Sequence, residues 1–215
     1  MALIKTELEI ERIRNSSLLV GKTIAEVARH IKPGVTTLAL DKIAEEFIRD
    51  HKAKPAFKGY HGYPATLCIS VNEIVVHGIP GKRELKEGDL VSIDCGTVID
   101  GYYGDSAFSF GIAPMVTEVE LLMQRTHQSL LKSIAAVTAG KRVGDIGYEV
   151  QTYVESFGYS VVRDLVGHGL GNSLHEKPEV PNYGRRGTGP KLEAGMVICI
   201  EPMINLGTRQ VMQEN

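Results

Sequence analysis

Two acids set in strand-like sequence, Asp94 and Asp105, stand on either side of an Asp100-Gly101 pair in LVSIDCGTVIDGYYGDS, residues 90–106. Asp-Gly favours a type I′ turn, which makes Ile99 and Tyr102 the flanking pair and sets Asp94 opposite Ala107. Asp105 lies two residues before Ala107. Because side chains alternate along a strand, Asp94 and Asp105 share one face as diagonal neighbours, roughly 7–8 Å apart at the backbone. Ionised carboxylates on a half-buried strand are costly unless they meet a cation or several hydrogen bonds, so a shared divalent metal is one reading. The other is a solvated face with Ser92, Asp94 and Gly96 turned outward. The hairpin alone leaves both open.

Further chemistry-bearing side chains stand on or next to strand-like sequence. His77 closes a short apolar run in HGIP, His168 lies in GHGLG, and Glu201 is carried by KLEAGMVICIEPMI, which reads as a strand. Tyr60, His61 and Tyr63 stand on a loop beside the buried strand TLCISV, an arrangement that suits a pocket wall. A single histidine such as His77 is also compatible with a purely structural role.

Helices must position these strands. Thr6 and Glu9 form a capping box, and Ile10, Ile13, Ser17, Val20, Ile24, Val27 and Ile31 continue an amphipathic stripe that stops at Lys32-Pro33-Gly34. Thr37 opens a second helix, with Leu40, Ile43, Ala44, Phe47 and Ile48 on one face, ending near His51. Residues 53–65 read as loop, punctuated by Pro55, Gly59, Gly62 and Pro64. Thr117 and Glu120 cap a third helix that runs to Ala139-Gly140, and a fourth spans about Asp145 to Phe157. SVVRDLV reads as a strand leading into GHGLG, and HEKPEVPNYGRRGTGP as a loop rich in proline and glycine. The class is α+β.

Composition narrows the function. With 215 residues, 43% hydrophobic and a formal net charge of −2, the chain is globular, and neither a basic nucleic-acid surface nor an acidic tail is present. No apolar run reaches membrane-spanning length, and the charged opening MALIKTELEIERIR does not fit a signal peptide, so a cytoplasmic protein without membrane or direct DNA contacts is expected. Cys68, Cys95 and Cys199 are odd in number and embedded in apolar sequence, which favours reduced, buried thiols over a disulfide framework or zinc ribbon.

Helices, strands and an acid occur twice. Leu85, Gly88 and Asp94 match Leu192, Gly195 and Glu201 at a constant offset of 107 residues, while His77-Gly78-Ile79 matches His168-Gly169-Leu170 at an offset of 91. One catalytic domain over 1–215 is expected, with halves of roughly 1–110 and 111–215 facing a shared cleft. The repeat is uneven at its end, because Asp94 has Asp105 whereas Glu201 has no equally placed partner. Glu214 is a substitute without a strand pattern to place it, so a final strand is expected to be missing.

With HGIP, VSIDCG, GYYGDSAFSF, GHGLG, HEKPEVPNYG and EPMI in this order, nearly the whole chain resembles the type I methionine aminopeptidases of the pita-bread (creatinase/aminopeptidase-like) fold. The resemblance implies helices and antiparallel sheets in a pseudo-two-fold repeat around two divalent ions. It makes Asp94, Asp105, His168 and Glu201 the metal ligands, His77 and His175 the histidines that contact substrate, and Tyr60, Tyr63, Cys68 and Leu174 the methionine pocket. Leu174 stands where bacterial members commonly have phenylalanine, and Phe57 where many have cysteine. A fifth ligand, a glutamate on a strand about thirty residues beyond EPM, belongs to the family pattern and has no counterpart in these residues.

Carboxylates and one imidazole suit Mn²⁺, Fe²⁺, Co²⁺ or Zn²⁺. The activity implied is removal of the initiator methionine from nascent chains and peptides with a small second residue, by a monomer working near the ribosome exit. Glu201 would move the proton of the metal-bridged water that attacks the scissile carbonyl, and His77 and His175 would support the amide and oxyanion. Arg185 and Arg186 on the loop read as solvated surface. Asp94-Cys95-Gly96-Thr97 lacks the second copy an aspartic protease needs, Pro178 and Pro181 break any phosphate-binding helix after GHGLG, and no GxSxG elbow exists. A noncatalytic pita-bread binding protein and an Xaa-Pro peptidase of the same fold are the alternatives. The first usually lacks ligands, and the second is disfavoured by the short N-terminus and by Tyr60, Tyr63 and Cys68.

Overall fold

The structure is a computed structural model that describes residues 4–213; Glu214 lies outside the described residues. The chain divides into two compact units. One comprises Glu7–Thr117 with Gly171–Leu174, and the other comprises residues up to Thr6, Glu118–Leu170 and the residues from His175 onward.

In the first unit, α1 (Glu7–Ala28) and α2 (Thr37–Asp50) flank a sheet of β1 (Lys54–Pro55), β2 (Leu67–Val71), β3 (Leu90–Ile99) and β4 (Tyr102–Gly111), all paired antiparallel. The α2 cap is Thr36, one residue before the expected Thr37, and its hydroxyl accepts the Ala39 N–H. α1 stops at Ala28 rather than Lys32, closed by short-range bonds from His30 N–H to Val27 O and from Ile31 N–H to Ala28 O. The core joins Val20, Ile24 and Val27 of α1, Leu40, Ala44 and Ile48 of α2, and Leu67, Ile69, Val91 and Ile93 of the sheet.

α1 turns a small residue, Ser16, to the sheet, where the stripe had suggested Ser17; Ser17 is exposed. The Ser16 hydroxyl donates to Tyr102 O at 2.8 Å and accepts the Ile99 N–H at 3.1 Å, gripping both strands beside the hairpin turn. A Cβ on Gly104 would lie 2.5 Å from the Ser16 backbone, so only glycine permits this approach.

The hairpin has the expected register, with Ile99 opposite Tyr102 and Asp94 opposite Ala107. Asp100 (φ 51°) and Gly101 (φ 79°) both adopt the left-handed conformation of a type I′ turn. Residues 53–65 are not entirely loop: Lys54 and Pro55 pair with Val98 and Thr97, and Tyr60–Gly62 forms one 3₁₀ turn.

The second unit contains α3 (Thr117–Ala135), α4 (Val143–Glu155), β5 (Ser160–Val161), β6 (Gly167–Gly169), β7 (Glu176–Val180) and β8 (Ile204–Asn205), with β5 paired to β8 and β6 to β7. α3 ends before the expected Gly140 because Ala136 and Val137 N–H groups turn back to Ser133 and Ile134, three residues earlier. α4 begins two residues before Asp145, whose carboxylate accepts the N–H of the cap residue Arg142 at 2.7 Å. Val143, Ile146, Val180 and Leu192 form one small core, and Val154, Tyr159 and Val161 another.

The expected strand carrying Glu201 is not regular. Cys199 N–H bonds His168 O beside β6, whereas Met203 O accepts from Val162 beside β5, and Pro202 between them has no N–H to give. The segment changes partner strands at Glu201, so no continuous ladder forms. SVVRDLV likewise is a strand only at Ser160–Val161 before β6 begins at Gly167.

Candidate functional site

In the first unit the register puts Cys68 of β2 and Ala107 of β4 opposite Asp94, and Gly96 opposite Asp105. Paired residues share a face, so Cys68, Asp94 and Asp105 project from the same side of the sheet. Val91, Ile93 and Cys95 fill the buried opposite side. Asp94 and Asp105 are half-buried rather than freely solvated. Burial, followed by the Asp94 carboxylate, pushes the Cys68 thiol up to about 12, and Cys95 is raised for the same two reasons.

Tyr63 belongs to this group. Its hydroxyl lies 3.0 Å from Leu67 O and 3.1 Å from Gly78 O, which orients the phenol against the start of β2. Burial foremost raises the Tyr63 pKa, with Cys68 and Asp94 adding to the rise. Asp41 on α2 accepts the N–H groups of Thr66 and Leu67 at 2.9 and 2.8 Å and so fixes the same strand start; burial nevertheless raises its pKa. Tyr60 is half-buried, its ring edge-on to His61, and Leu174 is buried.

His77 is not at a strand end. β2 finishes at Val71, and His77 sits in an irregular segment, exposed, with φ of 60°. The neighbouring Gly78 explains its place. A Cβ there would lie 2.3 Å from Ile69 O, and Gly78 bonds Ile69 N–H through its carbonyl and Ser70 Oγ through its amide. The segment is thus tied back along β2, and the turn that this requires puts His77 in a conformation costly to an L residue, of the kind found at functional positions.

In the second unit His168, on β6, is buried and Glu201 reaches it, with Nε2 and Oε1 3.1 Å apart. Nδ1 of His168 is 2.9 Å from Gly169 O; a carbonyl only accepts, so Nδ1 carries a proton, and Nε2 is the nitrogen turned to Glu201. Glu201 Oε1 is itself buried and lacks a hydrogen-bonding group among the described residues. With the ring neutral, Nε2 and Oε1 are two acceptors facing each other; with it protonated, they are an ion pair. A shared cation would suit the neutral pair, since donor atoms bound to one ion at about 2.0–2.2 Å stand roughly 3 Å apart. The residues therefore fit a metal. His175, exposed just before β7, lies edge-on to His168 with ring centroids 4.3 Å apart.

Two features escaped the sequence reading. Asn182, in the PNYG stretch, is fully buried and donates from Nδ2 to Glu201 O at 2.6 Å. Lys5 forms a buried ion pair with Glu176, beside His175, at 2.7 Å. Neither carried a periodic or motif signal, since an asparagine among prolines and glycines reads as turn and a lysine near residue 1 reads as surface. Arg186 is engaged within the unit, paired to Glu149 at 2.7 Å and stacked over Tyr148.

Known proteins resemble the chain over nearly its whole length. The model of metallopeptidase family M24 matches residues 11–214. The chain is similar to the methionine aminopeptidase of Clostridium acetobutylicum, 50% identical over 216 residues that cover 100% of this chain and 86% of that one. It is 46% identical to methionine aminopeptidase 1 of Bacillus subtilis over 211 residues, 98% of this chain and 85% of that one. The crystal structure of the methionine aminopeptidase of Thermotoga maritima superposes with a TM-score of 0.98 at 42% identity, covering 100% of this chain and 86% of that one.

Proposed function

The chain belongs to metallopeptidase family M24 and has its pita-bread fold, and on that premise we propose that it is a methionyl aminopeptidase, a metal-dependent hydrolase that removes the initiator methionine from nascent proteins and peptides with a small second residue. The metal-dependent chemistry is supported by the buried Glu201 Oε1 standing 3.1 Å from His168 Nε2 and by the match to a metallopeptidase family. The substrate follows from the relatives, which are named for this activity over the full length of the chain.

Asp94, Asp105, His168 and Glu201 are the residues that would hold the ions, two by family resemblance and drawn from Mn²⁺, Fe²⁺, Co²⁺ or Zn²⁺, as an oxygen-rich set with one imidazole favours. Bound divalent ions lower the pKa of water toward neutrality and polarise a carbonyl. Glu201 accepts the proton of the attacking water and delivers it to the leaving amine. His77 and His175 donate hydrogen bonds to the scissile amide and to the oxyanion as charge develops there. Tyr60, Tyr63, Cys68 and Leu174 wall the methionine side chain; with the Tyr63 hydroxyl committed to backbone carbonyls, its ring is what the substrate meets. The setting is the cytoplasm, with growing chains at the ribosome exit region as substrates; no helix among the described residues is long and apolar enough to cross a membrane.

Product analysis on Met-Ala-Ser, Met-Leu-Ser and Ala-Pro-Ser tests this reading. Release of methionine from the first alone is expected. Cleavage of Ala-Pro-Ser in preference would establish the Xaa-Pro alternative, and cleavage of none would end the peptidase reading.

A further inference from the structure

We propose that Asn182 is a positioning residue for Glu201, holding by its side chain the stretch of backbone that no strand holds. The inference rests on Glu201 serving in metal binding, as proposed above.

Main-chain carbonyls buried in a protein need a donor, and in a strand the neighbouring ladder supplies it. At Glu201 the ladder is interrupted. Cys199 N–H is bonded to His168 O at 2.7 Å and Met203 O to Val162 N–H at 3.0 Å, so the segment is anchored at two points with Glu201 and Pro202 between. Glu201 O meets the Asn182 side-chain amide at 2.6 Å. The orientation of that amide is fixed, because the flipped form would place two oxygens at this distance.

Asn182 is well built for the purpose. It is fully buried, and Gly147 of α4 lets the chain on either side of it lie flat: a Cβ there would be 2.6 Å from Pro181 O and 2.3 Å from Tyr183 O. The side chain therefore has a rigid base and one bond to make. Its Oδ1 is buried without a hydrogen-bonding group among the described residues, so as a device for stability alone the amide is a poor choice. Its value lies in where it puts Glu201, whose carboxylate must stand about 3 Å from the His168 Nε2 to share an ion with it.

The test uses Asn182→Asp, which keeps the shape but sets an acceptor against Glu201 O, together with Asn182→Ala. Co²⁺ is titrated into the metal-free protein and followed by calorimetry and by its visible absorption bands, and kcat and KM for Met-Ala-Ser are taken at saturating metal. Support for a bond that places a metal-holding residue costs about 10–100-fold in affinity or activity when lost. We expect Co²⁺ affinity to fall at least about tenfold in both variants, with altered band positions, and kcat to fall while KM stays within about twofold. Variants that fold, melt at a lower temperature and yet bind Co²⁺ and turn over as the unaltered chain does would overturn the proposal.

Should neither variant fold, the unaltered protein still decides. In labelled protein the Asn182 side-chain amide should show coupling across the hydrogen bond to the Glu201 carbonyl carbon and should shift as Zn²⁺ is added. Absence of both signals would overturn the proposal. If the unaltered chain binds Co²⁺ but releases no methionine, the peptidase reading fails while the Co²⁺ arm still tests Asn182.

Discussion

At Cys68 the fold sets a thiol directly across the strand pair from the Asp94 carboxylate. The thiol is raised from about 9 to about 12, first by burial and then by that charge. A group whose folded pKa lies above its unfolded value gives stability that is intact below the unfolded pKa and is lost as pH rises toward the folded one. Unfolding stability should therefore decline between about pH 9 and 12, by about 1.4 kcal/mol per pH unit for each such thiol. In denaturant titrations at pH 8, 9.5 and 11, Cys68→Ala should flatten that decline by about one proton; an unchanged slope would refute the assignment. Lys5 and Glu176 present the opposite case, two charges buried together with side chains 4% and 6% exposed. Removing one partner strands the other, so Lys5→Met should cost about 3–5 kcal/mol, whereas Lys5→Met with Glu176→Leu should restore most of it. Equal damage in single and double variants would show that packing, not charge, is what the pair provides.

Among the elements, the β3–β4 hairpin closes directly onto the α1 backbone near its turn. Gly104 meets Ser16 and Ser17 where a Cβ would stand 2.5 Å from main-chain atoms, one residue before Asp105. Gly104→Ala must push the strand off the helix, costing about 1–3 kcal/mol and displacing Asp105. The variant should lose metal affinity more than its fall in melting temperature alone would suggest; intact affinity would mean that the acids do not depend on this seat. The hairpin was readable because Asp-Gly dictates both turn type and register, and register alone puts Asp94 and Asp105 on one face. The Glu201 segment was not, because a continuous apolar run such as residues 196–200 looks like a strand whether or not a partner lies alongside over its whole length. His77 was misplaced for a related reason: the short apolar run before it resembles a strand end, while the turn is imposed by Gly78 closing on Ile69, a tertiary contact with no local signature. Ser16 and Asn182 are polar residues whose partners lie far along the chain, Tyr102 and Glu201, and only the folded structure brings them together.

For the molecule as a whole, membership of a metallopeptidase family rests on a family match over residues 11–214. The donor set is free of thiolate in this reading, so affinity should rise as carboxylates and imidazole lose their protons and should fall on acidification, which calorimetric titration of Co²⁺ at pH 5.5 and 7.5 would register. Methionine release should depend on ions held by these side chains. The most direct measurement is release of methionine from Met-Ala-Ser by protein stripped with chelator and then titrated with Mn²⁺ or Co²⁺, beside an Asp94→Ala variant treated in the same way. Stripped protein should release none, added metal should restore release, and the variant should give at most a trace at any metal concentration. Full activity without metal, or a variant as active as the unaltered chain, would contradict that dependence.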